Sequence, residues 1–206
     1  YRTRGDLDRA LALYQESLQI DELLGDKQGK AASLHQMAAV YLTRGDLDRA
    51  LALYQESLQL LELLGDKQGK AASLHNMANI FMARGEWVEA ERALQDSLRL
   101  AQGVGSVEHM AFATGKLGLV AAARGDRSTA LAHYREALAL HERLGMPEAQ
   151  QVRRMIADLE GGGAPADDPL GQAIARARGA ADRGEVASAI AAQEQAVALL
   201  RQAGEG

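Results

Sequence analysis

The histidines are the residues of this sequence best suited to chemistry near neutral pH, because the chain contains no cysteine. Without cysteine it forms no disulfide, no thiolate metal site and no cysteine nucleophile. His35 and His75 hold equivalent places in two nearly identical stretches of sequence, and histidine is a common metal ligand. We expect no metal there, because equivalent positions on packed neighbouring helices are roughly 10 Å apart.

Paired carboxylates and a glycine-rich turn are the other candidates for catalysis. Asp6 with Asp8, and Asp46 with Asp48, each follow an Arg-Gly pair and open a stretch with helical spacing, so helix capping explains them better than acid–base chemistry. Gly103 and Gly105 would need a preceding strand to bind phosphate, and no strand is predicted. The sequence also lacks a P-loop, a zinc-protease helix and a nucleophile elbow. We predict that the chain is not an enzyme and needs no cofactor.

Composition narrows the remaining classes of function. The 206 residues are 47% hydrophobic and 25% charged, with a net charge of −5, which favours a folded chain over a disordered one. Nucleic acid is an improbable ligand, because phosphate binding needs a strongly basic face. No signal peptide and no long apolar run of membrane-spanning length is present, so we expect a soluble, cytoplasmic protein without membrane contact.

A fixed repeat period organises the chain. Residues 1–40 and 41–80 differ at only six positions. The same break recurs three times after its first occurrence, as Arg4-Gly5-Asp6, Arg44-Gly45-Asp46, Arg84-Gly85-Glu86 and Arg124-Gly125-Asp126. A fixed period of roughly 20–50 residues is typical of solenoids and repeat arrays, so the structural unit is the repeat.

Each unit is predicted to hold two helices. Leu74, Met77, Ala78 and Phe81 lie at i, i+3, i+4 and i+7, which indicates a helix over residues 70–83. A second helix is predicted over residues 46–64, with residues 65–69 as the turn to the next unit. Each break glycine, Gly5 included, is expected to end a helix in the left-handed conformation.

The aromatic residues follow the same period. Tyr1, Tyr41 and Phe81 share one position of the repeat, and Tyr14, Tyr54 and Tyr134 share another. Bulky residues at helical spacing usually form core, so we predict packing between helices rather than a ligand cage.

These residues resemble the tetratricopeptide repeat. The resemblance rests on Leu74, Met77-Ala78, Phe81, Gly85, Ala90, Leu94 and Ser97, and on Leu117-Gly118, Gly125, Ala130, Tyr134 and Ala137. The unit, seen for example over residues 41–80, is longer than the usual form of this repeat and is similar to the repeats of kinesin light chain, spindle-orientation adaptors and bacterial signalling proteins. The resemblance implies an all-α, right-handed α-solenoid of antiparallel helix pairs.

The resemblance also implies a binding surface, because the first helix of each pair lines the concave wall of such a solenoid. The residues expected to bind a peptide or partner there are His35, Gln36, Thr43, His75, Asn76, Asn79 and Lys116. Asn76-Met77-Ala78-Asn79 is similar to the Asn-Leu-Gly-Asn pattern of long repeats, whose asparagines bind peptide backbone. Gln36 keeps an amide in the preceding repeat, whereas Ala39 does not.

Charge divides between the two predicted helices of a unit. Residues 67–85 contain Lys67, Lys70 and Arg84 and no acid, whereas residues 46–66 contain five acids and one arginine. A basic first helix favours an acidic ligand. The alternative is that the two helix layers neutralise each other.

The ends depart from the period. Tyr1 aligns with Tyr41 near the end of a first helix, so we expect residues 1–159 to be an array that starts within a repeat and exposes an apolar end. A further helix is predicted from Glu148 to about Leu159. Residues 160–169 are predicted to be a linker, since they are rich in glycine, proline and aspartate. Residues 170–206 are predicted to be a degenerate helical hairpin that caps the array or folds back on it.

The function predicted from these features is a non-enzymatic scaffold that binds a protein or peptide in its concave groove. Two alternatives stay open. One is a peptide-sensing or regulatory arm of a larger signalling protein such as an ATPase, a protease or a transcription regulator. The other is a self-assembly element that forms a homo-oligomer through exposed repeat ends.

Overall fold

The computed structural model describes residues 4–161 and three isolated helical positions beyond them, Ser188, Ala191 and Gln195. The described segment is entirely helical and contains no strand. Its eight helices are α1 (Arg4–Leu24), α2 (Lys27–Arg44), α3 (Leu47–Leu64), α4 (Lys67–Ala83), α5 (Trp87–Val104), α6 (Val107–Ala123), α7 (Arg127–Arg143) and α8 (Glu148–Glu160). The predicted all-α fold is thereby confirmed.

Aspartates and glycines set the helix boundaries. Asp46 and Asp66 accept hydrogen bonds from backbone N–H groups at the starts of α3 and α4, which satisfies donors that have no partner within the helix. Gly65 ends α3 at a φ of 69°, a conformation that side chains with a Cβ rarely adopt. Because Asp66 already caps α4, the predicted turn over residues 65–69 was too long.

The glycine prediction fails at one position. Gly5 lies inside α1, which starts at Arg4, and its φ is not positive. Gly45 ends α2 in the left-handed conformation, and periodicity alone assigned the same role to Gly5. A left-handed glycine is needed only where one helix stops and the chain reverses, and the helical backbone of α1 continues through Gly5.

Consecutive helices pack on each other from α1 to α7, as expected for a solenoid of helix pairs. The predicted aromatic positions form core. Tyr54 and Tyr134 are fully buried, and Tyr14, Tyr41 and Phe81 are half-buried against clusters of buried apolar residues. The aromatic prediction is therefore confirmed for the described residues.

A buried serine repeats one hydrogen bond in two units. Ser57 donates to the carbonyl oxygen of Ala31 at 2.9 Å, and Ser97 donates to that of Ala71 at 2.8 Å. Both serines are completely buried, so the bond satisfies a hydroxyl that would otherwise be costly to desolvate. The repeat therefore extends from the sequence to individual polar contacts.

Gly118 lets α6 approach α7 closely. A Cβ atom at this position would lie 2.6 Å from ring carbons of Tyr134, well inside van der Waals contact. The buried ring of Tyr134 therefore needs the absent side chain. This pair explains the Gly and Tyr positions on which the family resemblance rests.

The outer face of α1 exposes apolar side chains. Leu13 and Ile20 are 57% and 55% exposed, whereas Leu53 and Leu60, one repeat later, are half-buried. Leu53 is covered because it packs on the core cluster that Leu7, Leu11, Met37 and Val40 form in the preceding unit. Leu13 and Ile20 have no such cover in the part of the chain that the structure describes, and an exposed apolar end of the array stays a prediction.

The chain divides by its internal contacts after Val152, into residues 1–152 and 153–206, and the packing above belongs to the first unit. The predicted helix from Glu148 is α8, which reaches Glu160. Apart from its first two residues, the predicted linker over 160–169 lies outside the described residues. So does the hairpin over 170–206, apart from the three isolated positions. Both stay predictions.

Candidate functional site

The helices α2, α4 and α6 are the first helices of successive repeats, and they carry all the predicted binding residues. We call the polar side chains on them the first-helix face. Its members are His35, Gln36, Thr43, His75, Asn76, Asn79 and Lys116. Direct contacts between α2 and α4 and between α4 and α6 make these helices neighbours.

His35 connects two repeats by hydrogen bonds. The Asn76 side-chain amide lies 3.3 Å from His35 Nε2 and donates to it, so that nitrogen carries no proton. The other ring nitrogen, Nδ1, then holds the proton and donates to Ser73 Oγ at 3.1 Å. The predicted residues His35 and Asn76 are thus brought together as a polar link across the repeat boundary.

The surroundings of this link keep it neutral. Burial lowers the pKa of His35 because the charged imidazolium loses hydration. Its ring meets Tyr54 edge-on with centroids 5.0 Å apart. Burial raises the pKa of Tyr54 to about 12, and the nearby amide of Asn76 opposes that shift. At neutral pH this part of the face offers hydrogen-bonding groups without charge.

His75 belongs to a second cluster on α4, α6 and α7. Its ring lies 6.2 Å from Phe112, which in turn lies 5.4 Å from the buried His141. Burial lowers the pKa of His75 to about 4, and the charges of Lys116 and His109 add to the shift. His75 and Lys116, both predicted, therefore act on each other electrostatically.

Lys116 is the basic group of this cluster. Its side chain is half-buried, and burial lowers its pKa. Among the described residues no carboxylate forms a salt bridge with it. A half-buried ammonium without a counter-ion is a favourable place for an anionic group of a ligand.

The remaining predicted residues, Asn79, Thr43 and Gln36, differ in the hydrogen bonds that their side chains form within the protein. The Asn79 amide donates a long bond of 3.5 Å to Asn76 Oδ1, while Asn79 Oδ1 is buried without a partner in the described part of the chain. The exposed Thr43 donates to the carbonyl oxygen of Ala39, one turn back. Gln36 is exposed, and no contact links it or Thr43 to the other members of the face.

Several basic residues on the first helices, or directly after them, are ion-paired with acids on the second helices. Lys70 pairs with Glu62 and Arg84 pairs with Asp48. One repeat earlier, Arg44 pairs with Asp8 in the same way. These pairs agree with the alternative that the two helix layers neutralise each other. They also give Asp8 and Asp48 a role other than capping.

Sequence analysis missed four members of these clusters, namely Ser73, His109, Phe112 and His141. Phe112 had a signal in the sequence, because the equivalent positions one and two repeats earlier are Ala72 and Ala32. His141 likewise replaces Ala101 and Leu61. Departures from the repeat therefore mark the residues that make the third unit different.

The described residues offer neither a metal site nor a membrane span. Within residues 4–161, no group of three or more histidine and acidic side chains is placed to hold a metal ion. In the same part of the chain, none of the helices combines the length and the apolar character needed to cross a membrane.

The fold and this face together define a repeat protein built from pairs of helices. The family model described as tetratricopeptide repeat matches residues 1–62 and 69–143, and the chain belongs to the tetratricopeptide repeat family. Members of this family are generally non-catalytic scaffolds for protein–protein interaction. A search of curated proteins finds no significant match to the sequence.

Solved structures with the same fold support this assignment. A Podosopora anserina putative kinesin light chain with nearly identical TPR-like repeats matches with a TM-score of 0.57 and 18% identity, over 100% of this chain and 92% of that one. BtubC (BKLC) from P. vanneervenii gives 0.64 and 22%, over 98% and 76%. MamA gives 0.57 and 19%, over 100% and 95%. At these identities the likeness concerns the fold, and it agrees with the kinesin-light-chain-like resemblance.

Proposed function

We propose that this protein is an interaction scaffold that binds an extended segment of a partner protein along the first-helix face. The observation that carries the proposal is the continuity of that face across repeats. His35 of α2 accepts a hydrogen bond from Asn76 of α4. The charge of Lys116 on α6 lowers the pKa of His75 on α4. An extended chain laid across the three helices would meet polar groups in each repeat.

The amides suited to hold a peptide backbone are Asn79 and Gln36. Each amide side chain offers both a donor and an acceptor, as a peptide group requires. Asn76 is engaged with His35, whereas Asn79 has an acceptor without a partner in the described structure. Asn76 therefore supports the face from within. The half-buried Asn79 is the α4 amide left to contact the ligand, and its shielded Oδ1 would become accessible only through rotation of the side chain.

The acidic preference of the ligand rests on Lys116. Lys70 and Arg84 are already paired with carboxylates, so they attract an acidic segment weakly. Lys116 has no such partner among the described residues, and it loses hydration through burial. A carboxylate on the bound segment would form a charge-assisted hydrogen bond with it.

Fluorescence anisotropy with three sets of labelled peptides, acidic, neutral and basic but equal in apolar content, tests this proposal. The wild-type protein is expected to bind acidic peptides about tenfold more tightly than basic ones. Lys116→Met keeps most of the apolar stem and removes the charge, so it should abolish the preference. Asn79→Ala should weaken binding of all three sets.

Lys67→Met is the matched control, because Lys67 is exposed at the start of α4. It removes the same charge from a position outside the face and should leave the preference intact. An equal loss in both lysine variants would show a general charge effect and sink the Lys116 assignment. Failure of every peptide set to bind would contradict the function itself.

The exposed face of α1 supports a second candidate function, association of two copies. Leu13 occupies the position that the preceding unit covers at Leu53, and Ile20 is exposed beside it on α1. The same face of a second copy could cover both side chains. Light scattering over a concentration series should then show dimers that dissociate in Leu13→Glu/Ile20→Glu. Leu63→Glu, at an exposed leucine of α3, should not change the mass. A wild-type protein that stays monomeric at high concentration would exclude this role.

A further inference from the structure

A pocket of about 350 Å³ opens between α5, α6 and α7. Three of its lining residues are apolar and buried, namely Leu117, Val120 and Ala121. Its rim carries polar groups, which include Glu91, Arg124 and His133. The volume lies near the lower end of the roughly 300–1,000 Å³ range of small-ligand pockets. None of its lining residues belongs to the first-helix face.

The repeat explains why there is space here. Ala121 occupies the position that Tyr41 and Phe81 hold in the two preceding units. There the aromatic ring packs against the hydrophobic core, Tyr41 on the clusters of the first two units and Phe81 on those of the next. At Ala121 the ring is missing, while the large apolar neighbours Leu117 and Val120 remain. The third unit therefore has a pocket at the position where the two preceding units have an aromatic ring.

Two residues at the rim of this pocket are more polar than their equivalents in the preceding units. Glu91 replaces Leu51, and His133 replaces Ala93, relative to the preceding units. Arg124 reaches the rim and pairs with Glu91. Two apolar positions have thus become polar beside the apolar lining residues. A ring with a hydroxyl could exchange a hydrogen bond with these groups, which a bare hydrocarbon ring could not.

Arginine beside an aromatic ring already occurs at this position of the repeat. The guanidinium carbon of Arg49 lies 5.6 Å from the ring centroid of Tyr41, within the range of a cation–π interaction. In the third unit Thr129 holds the place of Arg49 and lines the pocket, while Arg124 is the arginine of the rim. The chain's own tyrosine at the equivalent position thus indicates which side chain this setting accepts.

We infer that the pocket above Ala121 is a binding site for a tyrosine side chain of a partner protein. The partner's ring takes the place that Tyr41 and Phe81 fill from within the chain, and its hydroxyl meets the polar rim. Such an anchor adds to the scaffold function proposed above. Its test uses the free side chain and involves none of the residues of the first-helix face, so the two proposals fail separately.

The probe is 4-methylphenol, which is the tyrosine side chain itself, titrated into alanine-methyl-labelled protein and followed by NMR. The Ala121 methyl signal should shift in a saturable way. Ala121→Phe restores the residue of the preceding unit and should weaken binding at least about tenfold, by occupying the site. Ala123→Phe adds the same ring at an exposed position two residues along α6 and should leave binding unchanged.

Thermal stability gives a second measurement. Filling a pocket with a side chain that it fits commonly stabilises a protein, so Ala121→Phe should raise Tm by about 2–4 °C. A lower Tm or a failure to fold would show that the pocket does not fit a ring. Absence of 4-methylphenol binding by the wild-type protein, or equal binding by Ala121→Phe, would likewise overturn the inference.

Discussion

Replacing Tyr54 with alanine is expected to lower the free energy of unfolding by about 3–5 kcal/mol, the usual cost of removing a large buried ring. Tyr54 is 0% exposed and packs with Ala38 and Ala50, and with Met77 and Ile80 of the next unit. The cavity left by alanine would therefore weaken the contact between two repeats. Urea denaturation followed by circular dichroism measures the loss.

Tyr54→Phe is the control for this substitution. The buried Tyr54 hydroxyl lies near the Asn76 amide without a well-aligned hydrogen bond, so removing it should change stability by less than about 1 kcal/mol. The difference between the two variants isolates the packing of the ring. Similar losses in both would place the importance of Tyr54 in its hydroxyl and contradict the assignment of the ring to the core.

The fold could be predicted because it depends on contacts that recur from one repeat to the next. Tyr54 and Tyr134 were recognisable as core since the same kind of residue fills the same position of each unit. Gly65 was recognisable as a helix end because reversal of the chain requires a left-handed residue there. Gly5 shows the limit, since periodicity alone assigned it a role that the local backbone does not require.

The candidate site could be predicted only in part, because its contacts join different units. The face that carries His35 and Asn76 follows from helical periodicity. Their hydrogen bond depends on the separation of two first helices, which no local pattern specifies. The ion pair between Arg84 and Asp48 could not be predicted either. The sequence places opposite charges on the two helices of a unit, but it does not specify which side chains form ion pairs.

The pocket above Ala121 had a signal that was not used. Tyr1, Tyr41 and Phe81 share one position of the repeat, and the residue at that position in the next repeat is Ala121. A small residue in a helix attracts no notice by composition, because alanine is the best helix former. The importance of Ala121 becomes clear only from the structure, where the rings of Tyr41 and Phe81 show how much volume a side chain fills at this position.

Acidification is expected to destabilise this protein well before its carboxylates titrate. The pKa of His75 is about 4 in the folded state and about 6.5 when unfolded. Between these values the unfolded chain binds more protons, so stability is complete above pH 6.5 and falls as the pH drops toward 4. This group alone should cost about 2 kcal/mol between pH 7.5 and pH 5.

The physical cause is the surroundings of His75. Burial disfavours the imidazolium first, and the charges of Lys116 and His109 disfavour it further. Protonation of His75 would place a second charge beside the half-buried ammonium of Lys116, which has no carboxylate partner among the described residues. Burial lowers the pKa of His35 as well, so its contribution has the same sign.

His75→Gln separates the two histidines, because glutamine stays neutral throughout. Urea denaturation midpoints at pH 7.5 and pH 5 should differ by clearly less in this variant than in the wild-type protein, and the difference that remains belongs to His35 and other groups. Gln36→Ala, a substitution of an exposed side chain on α2 that does not titrate, is the control and should leave the acid loss unchanged. If His75→Gln loses as much stability as the wild-type protein on acidification, His75 is not the group that titrates. The acid sensitivity would then arise from other groups of the protein.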